Sequence, residues 1–266
     1  MLLFIKFSPI PVFRVAQKRL LRYFFANFAP MPKGKIYLLP SNLMPGGNPA
    51  EVLPLRNIQL LSTIRYFVVE ELRTARRFLK ACDKSIDIDS LHFEVLNEHT
   101  APEQVTRMLA PALEGNNIGV ISEAGCPAVA DPGADLVAAA QAAGVEVVPL
   151  VGPSSIIMSL MASGFNGQSF AFLGYLPIDA KARVAAFRQL TRDIAVRHQT
   201  QIFIETPYRN NRLIAELATS LPPNLKLCVA CDITGPDEQI VTRPLSWWRS
   251  QKYDYAKRPA IFLLYS

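Results

Sequence analysis

The chain has 266 residues, half of them hydrophobic, with 28 Lys/Arg against 22 Asp/Glu and a formal net charge of +6. This composition excludes a disordered chain and suits one large domain or two modest ones. The excess charge is local: residues 1–35 hold seven cations (Lys6, Arg14, Lys18, Arg19, Arg22, Lys33, Lys35) and no acid, whereas the remainder holds 21 basic and 22 acidic residues. The pI near 9.2 therefore describes the N-terminal segment and excludes a broad basic face over the body.

In chain order, residues 1–32 read as a basic, aromatic extension. Phe13, Leu20, Phe24 and Phe28 can share a helical face flanked by Arg14, Lys18 and Arg22. No uncharged run there approaches the roughly 20 residues of a spanning helix. From residue 33 strands and helices alternate. Residues 35–39 predict a buried strand, 40–49 a Pro/Gly-rich loop, 51–65 a helix and 66–69 a strand. A helix over 72–81 carries Arg73, Arg76, Arg77 and Lys80, expected as a solvated face with phosphate contact as the alternative. A strand near 93–96 precedes a helix with Thr100 as N-cap, Pro102 in its first turn and Gly115 as its stop. Strands over 117–121 and 145–150 flank a helix over 134–143, and 151–153 reads as a hinge. Beyond it, helices are expected near 154–163, 180–197 and 208–220, with strands near 170–174, 201–205, 225–231 and 260–265.

The uncharged stretch 147–178 is too interrupted by Gly, Pro, Ser and Asn to span a membrane, so its helix is expected to be buried. Short apolar strands alternating with helices imply an α/β fold with mostly parallel pairing, divided into domains over 33–150 and 151–266. Four cysteines are too few for a disulfide scaffold, and a reducing cytoplasm is the expected setting. Cys228 and Cys231, three apart on a strand, should point to opposite faces, so no metal site is expected from them.

The chemistry concentrates in Ser122-Glu123-Ala124-Gly125-Cys126-Pro127-Ala128-Val129-Ala130-Asp131-Pro132-Gly133, a loop between a buried strand and a helix. Ligands of open α/β sheets bind at such carboxyl ends. Its glycines permit close backbone approach, its prolines fix the path, and two carboxylates suit a ligand bearing an amine and ribose hydroxyls. The chain contains no GxxxxGK[ST] and no GxGxxG, which excludes the common triphosphate and dinucleotide cradles. A tight structural turn uses similar residues, so both readings stand at this point.

The loop resembles the S-D-A-G-T-P-x-x-x-D-P-G signature of the ribosomal RNA small-subunit methyltransferase I family, within the tetrapyrrole-methylase fold. Further landmarks follow in order: Glu70-Glu71-Leu72-Arg73 resembles E-D-T-R, and Val148 to Ser155 resembles V-P-x-P-G-P-x-A. Ser163-Gly164-Phe165 with Phe172 to Pro177 resembles S-G-L-P … F-x-G-F-L-P, and Phe203 to Arg209 resembles F-Y-E-S-P-H-R. The resemblance runs from about residue 33 to 266. It implies two α/β domains with S-adenosylmethionine in the cleft between them and methyl transfer to a cytidine 2′-hydroxyl of small-subunit ribosomal RNA, in a cytoplasmic homodimer. By the same resemblance, Pro40, Ser41, Ser122, Glu123, Ala124, Gly125, Cys126, Ala130, Asp131, Ser154, Ser155 and Thr206 contact the cofactor, with Pro259 and Ala260 on its adenine side.

Deprotonating a ribose hydroxyl calls for a general base, and the candidates are Glu123 and Glu205, followed by Asp131 and Glu70. Several positions depart from the family pattern. The first loop, T-P-I-G-N in the family, is longer here, and the signature Asp is Glu123. The family's R-E-L-T-K becomes Cys231-Asp232-Ile233-Thr234-Gly235, without either cation. Methylation of a different acceptor and a non-catalytic cofactor- or RNA-binding role are the alternatives.

Overall fold

The computed structural model describes residues 32–266, so the face formed by Phe13, Leu20, Phe24 and Phe28 lies outside the described residues. Two five-stranded sheets form the scaffold. The first contains β1 (Lys35–Leu39), β2 (Tyr66–Val69), β3 (His92–Val95), β4 (Ile118–Ile121) and β5 (Glu146–Pro149), in the order β3-β2-β4-β1-β5. All its neighbours are parallel, as strands separated by helical crossovers must be. Alternate residues feed opposite faces. Ile36, Val68, Ile118 and Val120 pack under the helix Gly133–Ala142, and Leu39, Phe67, Val69 and Ile121 under the helix Leu72–Cys82.

The second sheet contains β6 (Phe170–Tyr175), β7 (Thr200–Ile204), β8 (Lys226–Cys231), β9 (Gln239–Pro244) and β10 (Ala260–Tyr265), in the order β6-β7-β10-β8-β9. Here the expectation of mostly parallel pairing fails. Only β6 and β7 run parallel, because β8 returns through the turn 232–238 as a hairpin and β10 inserts antiparallel between β7 and β8. One face packs under the helices Ala180–Arg197, Asn210–Ser220 and Leu245–Ser250, and the other meets the helix Ser155–Ser163.

Three helix expectations need correction. The helix over 51–65 is two short helices, Pro49–Val52 and Leu55–Leu61, because Pro54 holds an extended ψ of 140° between them. The helix expected to start at Thr100 starts at Pro102, with Ala101 as N-cap; the Thr100 hydroxyl accepts instead from the Asn97 amide (3.0 Å). It ends at Arg107, and Pro111, which has no N–H to offer, lies in the next turn of helix, Ala110–Leu113. The helix Ser155–Ser163 is buried on one side only: Leu160 faces the sheet while Met161 is 78% exposed. Strand β9 and the helix Leu245–Ser250 were not anticipated; β9 lacks a continuous apolar run, being interrupted by Thr242, Arg243 and Pro244. Cys228 and Cys231 do point to opposite faces of β8, one into each core, and burial pushes both thiols up to about 11. Among the described residues, no helix is long and apolar enough to cross a membrane.

Candidate active site

Strand order determines where a ligand crevice opens. From β1 the chain crosses to β2, beyond β4; from β4 it crosses to β5, beyond β1. The connections diverge at the adjacent carboxyl ends of β1 and β4, which is a topological switch point. The two loops that leave it are the Pro/Gly-rich loop after Leu39 and the signature loop after Ile121.

These loops are joined by buried polar contacts. The Ser41 amide donates to the Gly125 carbonyl (2.9 Å), and the Ser41 hydroxyl donates to the Ser122 carbonyl (3.1 Å). The Cys126 thiol reaches the Pro153 carbonyl (3.4 Å), and Gly152 lies flat on Pro40, where a Cβ would stand 2.2 Å from the proline ring. The signature loop is wound tightly, with Gly125, Ala128 and Ala130 at φ of 75°, 65° and 56°. Asp131 holds the loop's end, accepting from the Gly133 amide (2.9 Å) and more weakly from the Ala128 amide (3.4 Å). For alanine the left-handed region is unfavourable by about 1 kcal/mol or more per residue, so the contacts around the loop hold it against that strain.

Facing these loops is the second sheet. A cleft of about 340 Å³ is lined by Leu43, Met44 and Ala124 on one side and by Ser155, Tyr175, Ile204, Glu205, Ala230, Ile233, Pro259 and Ala260 on the other. Of the residues expected at the site, Ala124, Ser155, Glu205, Pro259 and Ala260 line this cleft. Pro40, Ser41, Ser122, Gly125, Cys126 and Ser154 stand behind its wall, where they hold loops or, for Ser154, cap the helix Ser155–Ser163. Ala130 and Asp131 shape the far end of the loop, and Thr206 opens the 3-10 turn Pro207–Arg209.

Glu205 is not a free base. Its carboxylate accepts from Arg209 Nε (2.9 Å), Arg209 Nη2 (2.6 Å) and the Thr206 amide (2.7 Å), and Arg183 Nη2 lies 3.7 Å away. Glu123 differs. It has no ion pair among the described residues, and partial burial followed by the charge of Glu71 raises its carboxyl above the usual range. Glu70 accepts from the Glu123 amide (3.2 Å), and burial, with Asp131 and Glu123 adding negative charge alongside, raises it too.

Sequence reasoning missed Leu43, Met44 and Arg183. Leu43 joins the second sheet's core, and Met44 reaches Gly235, where an added Cβ would stand 3.0 Å from Met44 Cγ. The extra length of the first loop was the available signal, since its apolar tip spans the cleft. Arg183 is buried between Glu205 and Glu216 and donates to the Pro177 carbonyl (3.0 Å).

The residues fit a folded, zwitterionic nucleoside. The cleft volume is in the range of small-molecule sites and its walls are mainly apolar; next to the lining residue Leu43, the first loop holds Asn42 Oδ1, a buried acceptor with no partner among the described residues.

Comparison with known proteins agrees. The Tetrapyrrole (Corrin/Porphyrin) Methylases profile matches residues 46–246. A ribosomal RNA small subunit methyltransferase I from Vibrio cholerae is 31% identical over 79% of this chain and 69% of its own length. One from Synechocystis is 31% identical over 78% and 70%, and one from Micromonospora olivasterospora 32% identical over 78% and 62%. Among solved structures, the methyltransferase CobJ superposes with a TM-score of 0.59 at 19% identity, covering 88% of this chain and 94% of its own. Uroporphyrin III C-methyl transferase from Thermus thermophilus gives 0.56 at 19%, covering 88% and 98%. The chain belongs to the tetrapyrrole (corrin/porphyrin) methylase family and is an S-adenosylmethionine-dependent methyltransferase.

Proposed function

We propose that this enzyme methylates a ribose 2′-hydroxyl of small-subunit ribosomal RNA, with residues 33–150 and 151–266 as its two domains. The observation that carries the reading is the switch-point crevice: two loops joined through Ser41 and Gly125 open onto the cleft, in a chain 31% identical to a protein named ribosomal RNA small subunit methyltransferase I.

S-adenosylmethionine supplies an activated methyl group on a sulfonium. Alignment of the acceptor and exclusion of water are what remain for the protein to provide. Leu43, Met44, Ile204, Ala230 and Ile233 exclude water, Ala124 brings the signature loop to the cleft, and Ser155, Pro259 and Ala260 form the facing wall. Glu123 is not itself in the cleft lining but precedes the lining Ala124, just beyond the end of β4. It is the carboxylate we assign to take the proton of the attacking hydroxyl; partial burial and the absence of an ion pair among the described residues suit that role. Glu205 positions rather than reacts, because it fixes the strand end against Arg183 and Arg209.

An RNA substrate of this kind implies a cytoplasmic enzyme. The exposed Ile157 and Met161, one turn apart on the helix Ser155–Ser163, offer an apolar contact for a homodimer. Isothermal titration with S-adenosylmethionine tests the cofactor site, and absence of binding would remove it. Mapping ribose methylation in a deletion strain tests the acceptor. Loss of one methylated cytidine in small-subunit RNA is expected; an unchanged map transfers the reaction to another acceptor.

A further inference from the structure

The outer edge of the first sheet carries a basic, aromatic surface that the methyl-transfer cleft does not use. On the helix Leu72–Cys82, the exposed Arg73, Arg76, Arg77 and Lys80 stand at spacings of three and four, within one face opposite the buried Ala75 and Leu79. The helix contains no acid, and none of the four forms an ion pair among the described residues. Each cation therefore repels its neighbours one turn away. The surroundings are not generally basic, since residues 32–266 hold 23 Lys/Arg against 22 Asp/Glu. The stripe is about 10 Å long, the reach of a short run of backbone phosphates.

Beside it lies a groove of about 510 Å³, larger than the cleft, along the edge strand β3. Arg76 and Arg107 line it, and its floor is aromatic: Tyr66 and His92 stack at 4.9 Å and 18°, and Arg76 lies 5.5 Å above the Phe93 ring. Its one carboxylate is Glu94. Cations in a row beside aromatic faces match the two needs of unpaired RNA, phosphate neutralisation and base stacking.

We propose that this edge is a second RNA-holding surface, on which phosphates of the acceptor RNA lie along Arg73, Arg76, Arg77 and Lys80 and an unpaired base enters the β3 groove. The proposal rests on the RNA reading above and adds a docking site separate from the cleft. Such a surface compensates for the two cations absent at Cys231 and Gly235.

The test uses the full chain and a fluorescein-labelled RNA fragment from the small subunit, with anisotropy read over a range of salt. The double variant Arg77→Ala/Lys80→Ala is expected to bind on the order of tenfold more weakly, and its slope of log affinity against log salt to be shallower by about 1.4–1.8. Arg107→Ala is expected to weaken RNA with an unpaired loop more than a plain duplex. In methyl transfer, KM for RNA rises while kcat and S-adenosylmethionine affinity stay unchanged. The double variant should melt no lower than wild type, which a merely structural role for the cations would not allow. Wild-type binding with no change in either variant overturns this proposal and leaves the RNA reading intact, whereas no wild-type RNA binding overturns both. Unchanged RNA affinity with loss of binding to phosphatidylserine vesicles assigns the ridge to a lipid surface and also overturns it.

Discussion

Glu70 and Glu123 hold their protons above the ordinary carboxylate value of 4.5 because the signature loop strips water from them and gathers negative charge around them. The folded state therefore binds more protons than the unfolded chain in the interval above 4.5, and stability declines as pH rises through that interval. Glu70→Gln keeps an oxygen for the Glu123 amide and removes the charge. Its melting temperature should exceed that of wild type at neutral pH and match it well below pH 4.5; thermal scans at both pH values decide. With Glu123 as the proposed base, the same shift sets activity. The base works only once deprotonated, so kcat should fall with acidification through its raised value. Glu123→Gln should lower kcat by about 100-fold or more while cofactor affinity, measured by calorimetry, stays within a fewfold. A small kcat effect would move the base elsewhere. The position of Glu123 was legible in the sequence because it follows a buried strand. The state of Glu205 was not, because Arg183 and Arg209 reach it only once β7 and the helix Ala180–Arg197 are packed together.

The signature loop works as one element, held at its start by Ser41, in its middle by Pro153 and at its end by Asp131. Valine at Gly125 would have to adopt φ of 75° and place its Cβ 2.9 Å from Leu43 Cδ2 and 3.3 Å from the Pro153 carbonyl. The obstruction is the protein's own wall and not open ligand space. Gly125→Val should therefore destabilise the fold by about 2 kcal/mol or more and abolish cofactor binding, read by denaturation and calorimetry. Retained affinity would place the site elsewhere. Arg183 ties three elements together, and Arg183→Ala would leave Glu205 and Glu216 with one cation, Arg209, in place of two. A loss of about 1–3 kcal/mol is expected, because Glu216 loses its cation while the buried Glu205 keeps Arg209. Strands were the most readable elements, since buried parallel strands are continuous apolar runs. Helix ends were less so: Pro54 and Pro111 break patterns whose apolar spacing continues through them.

Across the whole molecule, the cleft exists because two sheets of different topology meet through a long first loop. The parallel first sheet followed from alternating strands and helices, and its switch point opens the crevice proposed as the site. The antiparallel insertion of β10 was invisible locally, because a strand's partners are chosen by the rest of the sheet. The apolar tip of the first loop, Leu43 and Met44, closes the cleft by packing on the second sheet. The most direct measurement of the central claim is methyl transfer in vitro, using tritiated S-adenosylmethionine and small ribosomal subunits from the deletion strain. Label on a single cytidine ribose, lost with Glu123→Gln, is the predicted result. Wild-type enzyme that binds the cofactor but leaves those subunits unlabelled would contradict it.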